Sequence, residues 1–232
     1  MNPPAAHAAS SAASRPELPW FYGLTAAGAR AFYQVLGRAE VAGLENIPRT
    51  GPFLMTANHA SFLDPPLLGC FLPRPLRYFA RKTLWIGPLA WALDQLNCIP
   101  LDRDGDGDIA GFKRVFAALQ AGEAVQVFPE GTRTPDGNLQ PPRRGAGLLA
   151  ARLGVPVVPA RVFGTYETLN RRQIIPRPFY RLGVTYGKPL LPADYDPGPK
   201  QSERYETVVA RIMAAIAALP PPWENEKKRL GE

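Results

Sequence analysis

Short apolar runs alternate with helix-like segments along most of this 232-residue chain. The short, mostly apolar residues 53–57 and 124–128 predict buried strands, and residues 155–162 predict a further strand. The segments between them carry apolar residues at helical spacing, as in residues 109–121, where Gly122 follows as a stop signal. Strands separated by helices of about 10 to 15 residues predict an α/β fold. We expect a mixed, largely parallel sheet flanked by helices.

Length and composition indicate one domain. At 46% apolar residues, the chain can bury one sizeable core, which we place over residues 41–220. An N-terminal helix is predicted over residues 17–40. The Ala-, Ser- and Pro-rich residues 1–16 are expected to form a disordered tail, and the charged residues 221–232 a flexible one.

The remaining elements follow from the same periodicities and from proline and glycine punctuation. A short strand or bend is predicted over residues 41–52, and Asp64 followed by two prolines is expected to cap and open a helix. Further strands are predicted at 76–80, 98–101 and 180–186, and helices at 64–72, 84–96, 144–153 and 205–219.

The N-terminal helix is aromatic and only partly amphipathic. Arg30 and Gln34 interrupt its apolar residues, and it is too short and too mixed for a spanning helix, which needs roughly 20 apolar residues. It fits a helix that lies in the membrane interface, although packing on the domain core is an open alternative. No basic segment followed by an apolar one resembles a secretory signal, so we expect a peripheral protein at the cytoplasmic face of a membrane.

Charge and cysteine content give weaker indications. The formal net charge is +7, so an anionic partner is plausible, and nucleic acid and anionic lipid both qualify on charge alone. Cys70 and Cys98 lie in apolar surroundings without a CxxC pair or a nearby histidine. We therefore expect reduced structural thiols, with no disulfide and no metal.

His59 carries the strongest chemical signal. The only other histidine, His7, lies in the N-terminal tail, so proton transfer by an imidazole falls to His59. Asp64 follows five positions later and has the residue type that orients such a base. The alternative is a polar loop residue beside a helix cap. A Ser61 nucleophile is also conceivable, but three triad members within six residues are geometrically awkward and no GxSxG motif occurs.

A second cluster follows the strand predicted at 124–128. Glu130, Gly131, Thr132 and Arg133 combine a glycine that lets backbone amides approach an anion with a guanidinium that can bind phosphate in a bidentate manner. Arg103 could reach the same pocket if its strand neighbours the others. An ordinary exit from a strand into a loop would look similar. A base beside an anion site indicates a transferase that acts on a phosphorylated alcohol.

The acidic run 102–108 resembles the beginning of a calcium loop. Its twelfth position is Lys113, where such a loop requires a bidentate glutamate. We expect a flexible acidic loop before the next helix and no metal site.

Four sequence blocks, in order, resemble the signature blocks of the glycerolipid acyltransferases, in particular the 1-acylglycerol-3-phosphate acyltransferases. They are Asn58-His59-Ala60-Ser61-Phe62-Leu63-Asp64, Ile99-Pro100-Leu101-Asp102-Arg103, Phe128-Pro129-Glu130-Gly131-Thr132-Arg133 and Val155-Pro156-Val157-Val158-Pro159. The resemblance covers about residues 20 to 190. It implies that residues 41–220 form an acyltransferase domain.

The resemblance implies a role for each block. His59 would be the catalytic base and Asp64 its partner, acting on the free hydroxyl of a lyso-phospholipid. The acyl group would arrive as a thioester on coenzyme A or acyl carrier protein, with no cofactor. The acceptor phosphate would be bound by Arg103 and by Glu130, Gly131, Thr132 and Arg133, while Val155, Pro156 and Pro159 would help shape the acyl pocket.

Three alternatives stay open. Relatives with these blocks also acylate other lyso-lipids. A non-catalytic domain that binds anionic lipid would keep the fold, although the intact His59 and Asp64 argue against it. A nucleic-acid-binding module would explain the charge but not the buried motif strands, so no nucleic-acid partner is expected.

Overall fold

Seven strands form two sheets in the computed structural model, which describes residues 20–101 and 109–224. The main sheet has five strands and the small sheet has two. The strands are β1 (Glu40–Ala42), β2 (Phe53–Ala57), β3 (Tyr78–Arg81), β4 (Cys98–Leu101), β5 (Ala124–Val127), β6 (Val157–Phe163) and β7 (Gly183–Tyr186). Across the main sheet their order is β1-β7-β6-β2-β5, while β3 and β4 form the small sheet.

Eight α-helices connect and cover the strands in this part of the chain. They are α1 (Trp20–Gly37), α2 (Asp64–Cys70), α3 (Gly87–Gln95), α4 (Ile109–Gln120), α5 (Arg144–Leu153), α6 (Thr165–Thr168), α7 (Pro192–Tyr195) and α8 (Arg204–Ala217). None of the helices in the described ranges combines the length and the apolar character that crossing a bilayer requires.

The main sheet is mixed and largely parallel, as predicted. β2 runs parallel to both β5 and β6, and β1 runs parallel to β7, whereas β6 and β7 are antiparallel. The expectation of a single sheet is corrected, because β3 pairs in parallel only with β4. One bridge between Arg77 and Val125 joins the small sheet to the edge strand β5.

Each face of the main sheet carries its own apolar cluster. All five residues of β2 are buried, and because side chains alternate along a strand, Phe53, Met55 and Ala57 pack towards α1 and α2. Leu54 packs on the opposite cluster with residues of α4, α5 and α8. The continuous apolar character of this strand follows from its burial on both faces.

Several element boundaries differ from the predicted ones by two or three residues. α3 begins at Gly87, after a separate 3₁₀ turn at Lys82–Leu84, because Pro88 fits the first helical turn. β3 begins at Tyr78, two residues later than predicted. The four-residue helices α6 and α7 were not predicted, since one turn is too short to show a helical period.

Helix α1 has two unlike faces. Tyr22, Ala26 and Tyr33 are buried against the core, as the packing alternative required. The other face exposes large apolar side chains, namely Trp20, Leu24, Phe32 and Val35. The predicted tails, residues 1–16 and most of 221–232, lie outside the described residues.

Candidate active site

The fold brings the two strongest sequence motifs together at one edge of the main sheet. Neighbouring parallel strands end at the same edge, so the loop after β2 lies beside the loop after β5. The backbone N–H of Thr134 donates to the carbonyl oxygen of His59 at 2.8 Å. The His59 and Arg133 motifs therefore form one continuous site.

His59 and Asp64 are in direct contact. Nδ1 of His59 lies 2.9 Å from Oδ2 of Asp64, whose side chain is fully buried, while the His59 side chain is 12% exposed. A carboxylate accepts the proton on Nδ1, which leaves Nε2 as the proton acceptor of the ring. Nε2 has no hydrogen-bond partner among the described residues. This is the arrangement that a general base needs.

The carboxylate of Asp64 also shapes the loop that carries His59. Oδ2 accepts the backbone N–H groups of Ala60 at 2.6 Å and Ser61 at 2.7 Å. The sequence predicted Asp64 as a helix cap, and the structure corrects this, because Asp64 is the first residue of α2 and its carboxylate binds loop amides. One oxygen therefore holds both the loop and the imidazole.

Two residues of the Phe128–Arg133 motif hold His59 from another side. The Phe128 ring stacks on the imidazole with a centroid separation of 3.8 Å and an interplanar angle of 10°. Glu130 accepts the His59 N–H at 2.9 Å with one carboxylate oxygen and the Gln140 N–H at 3.0 Å with the other. Burial raises the pKa of the Glu130 carboxyl, against the two backbone hydrogen bonds that lower it.

Both carboxylate oxygens of Glu130 are thus engaged with backbone amides, and the residue is only 2% exposed. A buried carboxylate would also repel a phosphate. The prediction that Glu130 contacts the acceptor is therefore corrected, and the structure makes it a positioning residue for His59. Its role depends on a contact across 71 positions of the chain, which no local pattern reveals.

The turn after Glu130 has arginine side chains beside it, as the sequence indicated for Arg133. Gly131 has a φ of +69°, and a Cβ atom there would lie 2.6 Å from Cδ of Arg143. Glycine therefore lets the Arg143 side chain lie against the turn. Thr132 is exposed, and the guanidinium carbon of Arg133 lies 3.5 Å from the centroid of the Phe62 ring. Arg143 was missed in the sequence, where its only signal is an Arg-Arg pair before a helix.

Ser61 is engaged in the backbone of a neighbouring loop. Its Oγ donates to the carbonyl oxygen of Leu169 at 2.6 Å and accepts the Leu63 N–H at 3.1 Å, and the residue is fully buried. This geometry does not fit a nucleophile. Asn58 has a similar bracing role, because its side-chain amide binds both the N–H and the carbonyl of Val162 on β6.

The fourth motif lies within the sheet. Pro156 accepts the N–H of Leu54 through its carbonyl at 2.9 Å, Val155 accepts the Tyr195 hydroxyl at 2.8 Å, and the buried Pro159 is paired with Thr56. None of the three residues lines the apolar cavity that is described in the next paragraph. The three residues brace β2, the strand that leads to His59, and their part in an acyl pocket stays a prediction.

An apolar cavity of about 370 Å³ lies between α1, α2 and the small sheet. Phe62, Pro65 and Pro66 form one wall, and these residues flank Asp64, the partner of His59, in the chain. Other walls come from Ala26, Ala29, Tyr78, Phe79, Leu93 and Leu96.

Cys70 and Cys98 also line this cavity as free thiols. Burial raises the pKa of Cys70 to about 12 and that of Cys98 to about 11. Both side chains are therefore protonated at neutral pH and add to the apolar character of the walls.

The structure does not describe the residues of two predictions, the phosphate contact of Arg103 and the acidic loop. Arg103 and the acidic run 102–108 lie outside the described residues. Within residues 20–101 and 109–224, no three His, Cys, Asp or Glu side chains lie close enough together to hold a metal ion.

Comparison with known proteins shows which family the chain resembles. A family model described as "Acyltransferase" matches residues 38–162, more than half of the chain. A 1-acyl-sn-glycerol-3-phosphate acyltransferase of Bacillus subtilis is 31% identical over 164 residues, which cover 68% of this chain and 77% of that protein. A chloroplastic protein of the same name from Brassica napus is 36% identical over 131 residues, 55% of this chain, and the match spans only 38% of its own length.

A solved structure shares the fold. The crystal structure of the 1-acyl-sn-glycerophosphate acyltransferase PlsC from Thermotoga maritima aligns with a TM-score of 0.69 at 26% sequence identity. The alignment covers 84% of this chain and 76% of that chain.

Proposed function

The chain is a member of the acyltransferase family, and we propose that it transfers a fatty acyl group from an acyl thioester to the free hydroxyl of a lyso-phospholipid. The favoured acceptor is 1-acylglycerol-3-phosphate, for which the relatives are named, and the product would be phosphatidic acid. Acyl-coenzyme A or acyl carrier protein would supply the acyl group. The thioester provides its own leaving group, so the reaction requires no cofactor.

The contact between His59 and Asp64 carries this proposal. As the acceptor oxygen attacks the thioester carbonyl carbon, Nε2 of His59 takes the hydroxyl proton. The tetrahedral intermediate then breaks its carbon–sulfur bond, and the departing sulfur receives that proton. Asp64, 2.9 Å from Nδ1, offsets the positive charge that the ring carries between the two transfers.

Cationic side chains at the turn after Glu130 would bind the acceptor phosphate. Arg133 follows the turn, and Arg143 lies against Gly131 at its start. Guanidinium groups suit phosphate because they donate two parallel hydrogen bonds. In this proposal Gly131, Thr132 and Arg133 contact the phosphate, with Arg143 as a further ligand and Arg103 as a candidate from the adjoining segment.

The apolar cavity would accept an acyl chain. Its volume of about 370 Å³ lies within the range of small-molecule sites, and its lining is almost entirely apolar. Phe62 connects the apolar cavity with the cationic turn. It lines the cavity, and its ring stacks with the guanidinium group of Arg133. A lipid with an anionic headgroup at Arg133 and a chain in the cavity would therefore pass the proposed base.

The exposed face of α1 supports peripheral attachment to a membrane. Trp20, Leu24, Phe32 and Val35 stand outward on this helix, as expected for a helix in the bilayer interface. In this proposal the protein lies on the cytoplasmic face and takes its acceptor directly from the lipid.

A thiol-release assay tests the proposed reaction. The purified protein is supplied with acyl-coenzyme A or acyl carrier protein thioester and a panel of lyso-lipids, of which 1-acylglycerol-3-phosphate should give the fastest release. His59→Ala should lower kcat by about two to four decades. His7→Ala, which replaces the only other histidine, is the matched control. Turnover by His59→Ala near the level of that control would exclude His59 as the base.

A further inference from the structure

Residues 170–180, here called the arginine loop, connect α6 to β7 and take no part in the proposed reaction. Three large apolar side chains of this loop stand in solvent, with exposed fractions of 95% for Ile174, 78% for Ile175 and 89% for Phe179. Scattered exposed apolar residues are common, but three within six positions form a local patch. Such a patch is typical of a surface that contacts an apolar partner.

The backbone holds Phe179 in this outward position at a conformational cost. Its φ of +72° lies in the left-handed region, which bulky residues avoid, and its exposed ring gains no packing in return. The N–H of Phe179 donates to Leu36 at the end of α1 at 2.8 Å, and the N–H of Arg177 donates to Thr168 at 2.7 Å. These two hydrogen bonds fix the backbone of the loop, while its apolar side chains point into solvent.

The same loop is strongly cationic. Arg171, Arg172 and Arg177 are exposed, and no acidic residue occurs between Glu167 and Asp194. None of these three arginines forms an ion pair with a residue that the structure describes. Guanidinium groups that surround exposed apolar side chains complement lipid phosphates above an acyl layer.

The arginine loop adjoins both the site and the exposed face of α1. The carbonyl of Leu169, just before the loop, accepts the hydroxyl of Ser61 in the His59 loop. The other end of the loop is bonded to Leu36, and α1 exposes Phe32 and Val35 nearby in sequence. The arginine loop is therefore attached to the end of the helix whose outer face exposes apolar side chains.

We propose that the arginine loop binds an anionic lipid surface, with Ile174, Ile175 and Phe179 inserted below the headgroups and the three arginines on lipid phosphates. The inference rests on the proposed function only in that the substrate is a membrane lipid. Binding can be measured without turnover, so the two proposals can fail separately.

Sedimentation of the full chain with vesicles tests the contribution of charge. The vesicles contain phosphatidylcholine with or without phosphatidylglycerol. Replacing Arg171, Arg172 and Arg177 by Gln should lower partitioning onto the anionic vesicles about 100-fold, since each arginine near such a surface contributes about fivefold. The control replaces Arg49, Lys188 and Lys200 by Gln, which removes the same charge from exposed positions outside the loop.

A second pair of variants tests insertion. Ile174→Ser with Ile175→Ser should lower binding to either kind of vesicle by about tenfold or more, because apolar contact does not depend on lipid charge. Leu191→Ser is the control, since Leu191 is exposed outside the loop. Both isoleucines are exposed, so the substitutions remove no core contact.

His59→Ala should bind vesicles like the unmodified protein, and the loop variants should keep thiol release with detergent-dispersed substrates. Loss of turnover in His59→Ala would support the proposed function, and weaker vesicle binding by the loop variants than by their controls, with thiol release retained, would support the inference. Equal vesicle binding by the arginine variant and its charge control would overturn the inference. So would unchanged vesicle binding combined with lost binding to acyl carrier protein, because that result would assign the loop to an acidic protein.

Discussion

Asp64 supports His59 in two ways that a single substitution can separate. Its Oδ2 accepts two loop amides and the Nδ1 proton, while Oδ1 is buried without a hydrogen-bond partner in the described part of the chain. Asp64→Asn keeps an oxygen for the amides but removes the charge. We expect kcat to fall by about two to four decades.

Thermal unfolding of Asp64→Asn checks that the loop that carries His59 keeps its structure. Asp64→Ala, in contrast, leaves the Ala60 and Ser61 amides without their acceptor, at about 1 to 3 kcal/mol for each buried group. Asp64→Asn should therefore be the more stable of the two and still nearly inactive. A kcat of Asp64→Asn close to the unmodified value would show that the carboxylate charge is not used.

Glu130 acts on the reaction through the backbone of His59. In Glu130→Gln an amide NH₂ would face one of the two backbone N–H groups that the carboxylate now accepts, so the His59 loop should shift. A displacement of about 1 Å can lower the rate about 100-fold. We expect kcat to fall by about 10- to 100-fold while the KM for the acceptor stays unchanged.

Steady-state kinetics with a varied acceptor concentration separates this role from a phosphate contact. Arg133→Ala is the comparison, because it should raise the acceptor KM and change the thioester KM much less. If Glu130→Gln raised the acceptor KM in the same way, Glu130 would belong to the headgroup site after all.

These residues also show which site features a sequence can predict. His59 and Asp64 meet because five positions span the turn from a strand into a helix, so their contact is local and was predicted. The roles of Glu130 and Arg143 arise only after β2 and β5 pair and the turn at Gly131 closes. No short-range pattern carries that information.

Among the elements, α8 is joined to its surroundings by an ion pair at its first residue. Arg204 donates to Asp196 through Nε at 2.7 Å and through Nη2, and Nη2 also reaches the carbonyl of Ala151 at the end of α5. The Arg204 hydrogen bonds lower the pKa of Asp196. The pair therefore stabilises the protein above the ordinary carboxyl pKa, and this contribution is lost as pH falls through the lowered pKa.

Asp196→Asn should lower the free energy of unfolding by about 1 kcal/mol at pH 7, with the difference shrinking towards zero in acid. Urea unfolding at several pH values measures this. Glu206→Gln is the control on the same helix, because its ion pair with Arg144 is more exposed, with side chains at 66% and 47%. A pH-independent effect of Asp196→Asn would show that the charge is not responsible.

Strand and helix identities were largely predictable, whereas strand partners were not. The apolar run of β2 and the helical period of α5 are local signals, and both elements occur where they were predicted. β3 and β4 show similar local patterns but pair with each other outside the main sheet. The pairing of strands depends on the packing of the whole fold and not on the sequence of each strand. The local patterns therefore could not show that β3 and β4 form a separate sheet.

For the whole molecule, the sequence predicted a single α/β domain but not the location of its cavity. The cavity forms where α1 packs over α2 and the small sheet, so its walls come from segments far apart in the chain. The family resemblance implied that the fourth motif helps to shape an acyl pocket, and in the structure those residues pair within the main sheet. A cavity is defined by packing between layers, and that packing is not encoded in any one segment.

Ala29 provides a test of whether the cavity holds the acyl chain. It lines the cavity from α1 and is half-buried, so Ala29→Phe should fill part of the 370 Å³ without removing a core side chain. Ala27→Phe is the matched control, since Ala27 lies on the same helix, is exposed and does not line the cavity. The assay uses thioesters of increasing chain length. Ala29→Phe should lower kcat/KM for the longest chains by about tenfold or more, because each methylene group that no longer fits in the cavity loses about 0.8 kcal/mol of burial. Short chains should react as before, and Ala27→Phe should match the unmodified protein at every length.

If Ala29→Phe lowered the rate equally for all chain lengths, the cavity would not hold the donor chain. The same series with lyso-lipids of different chain length would then show whether the acceptor occupies it instead.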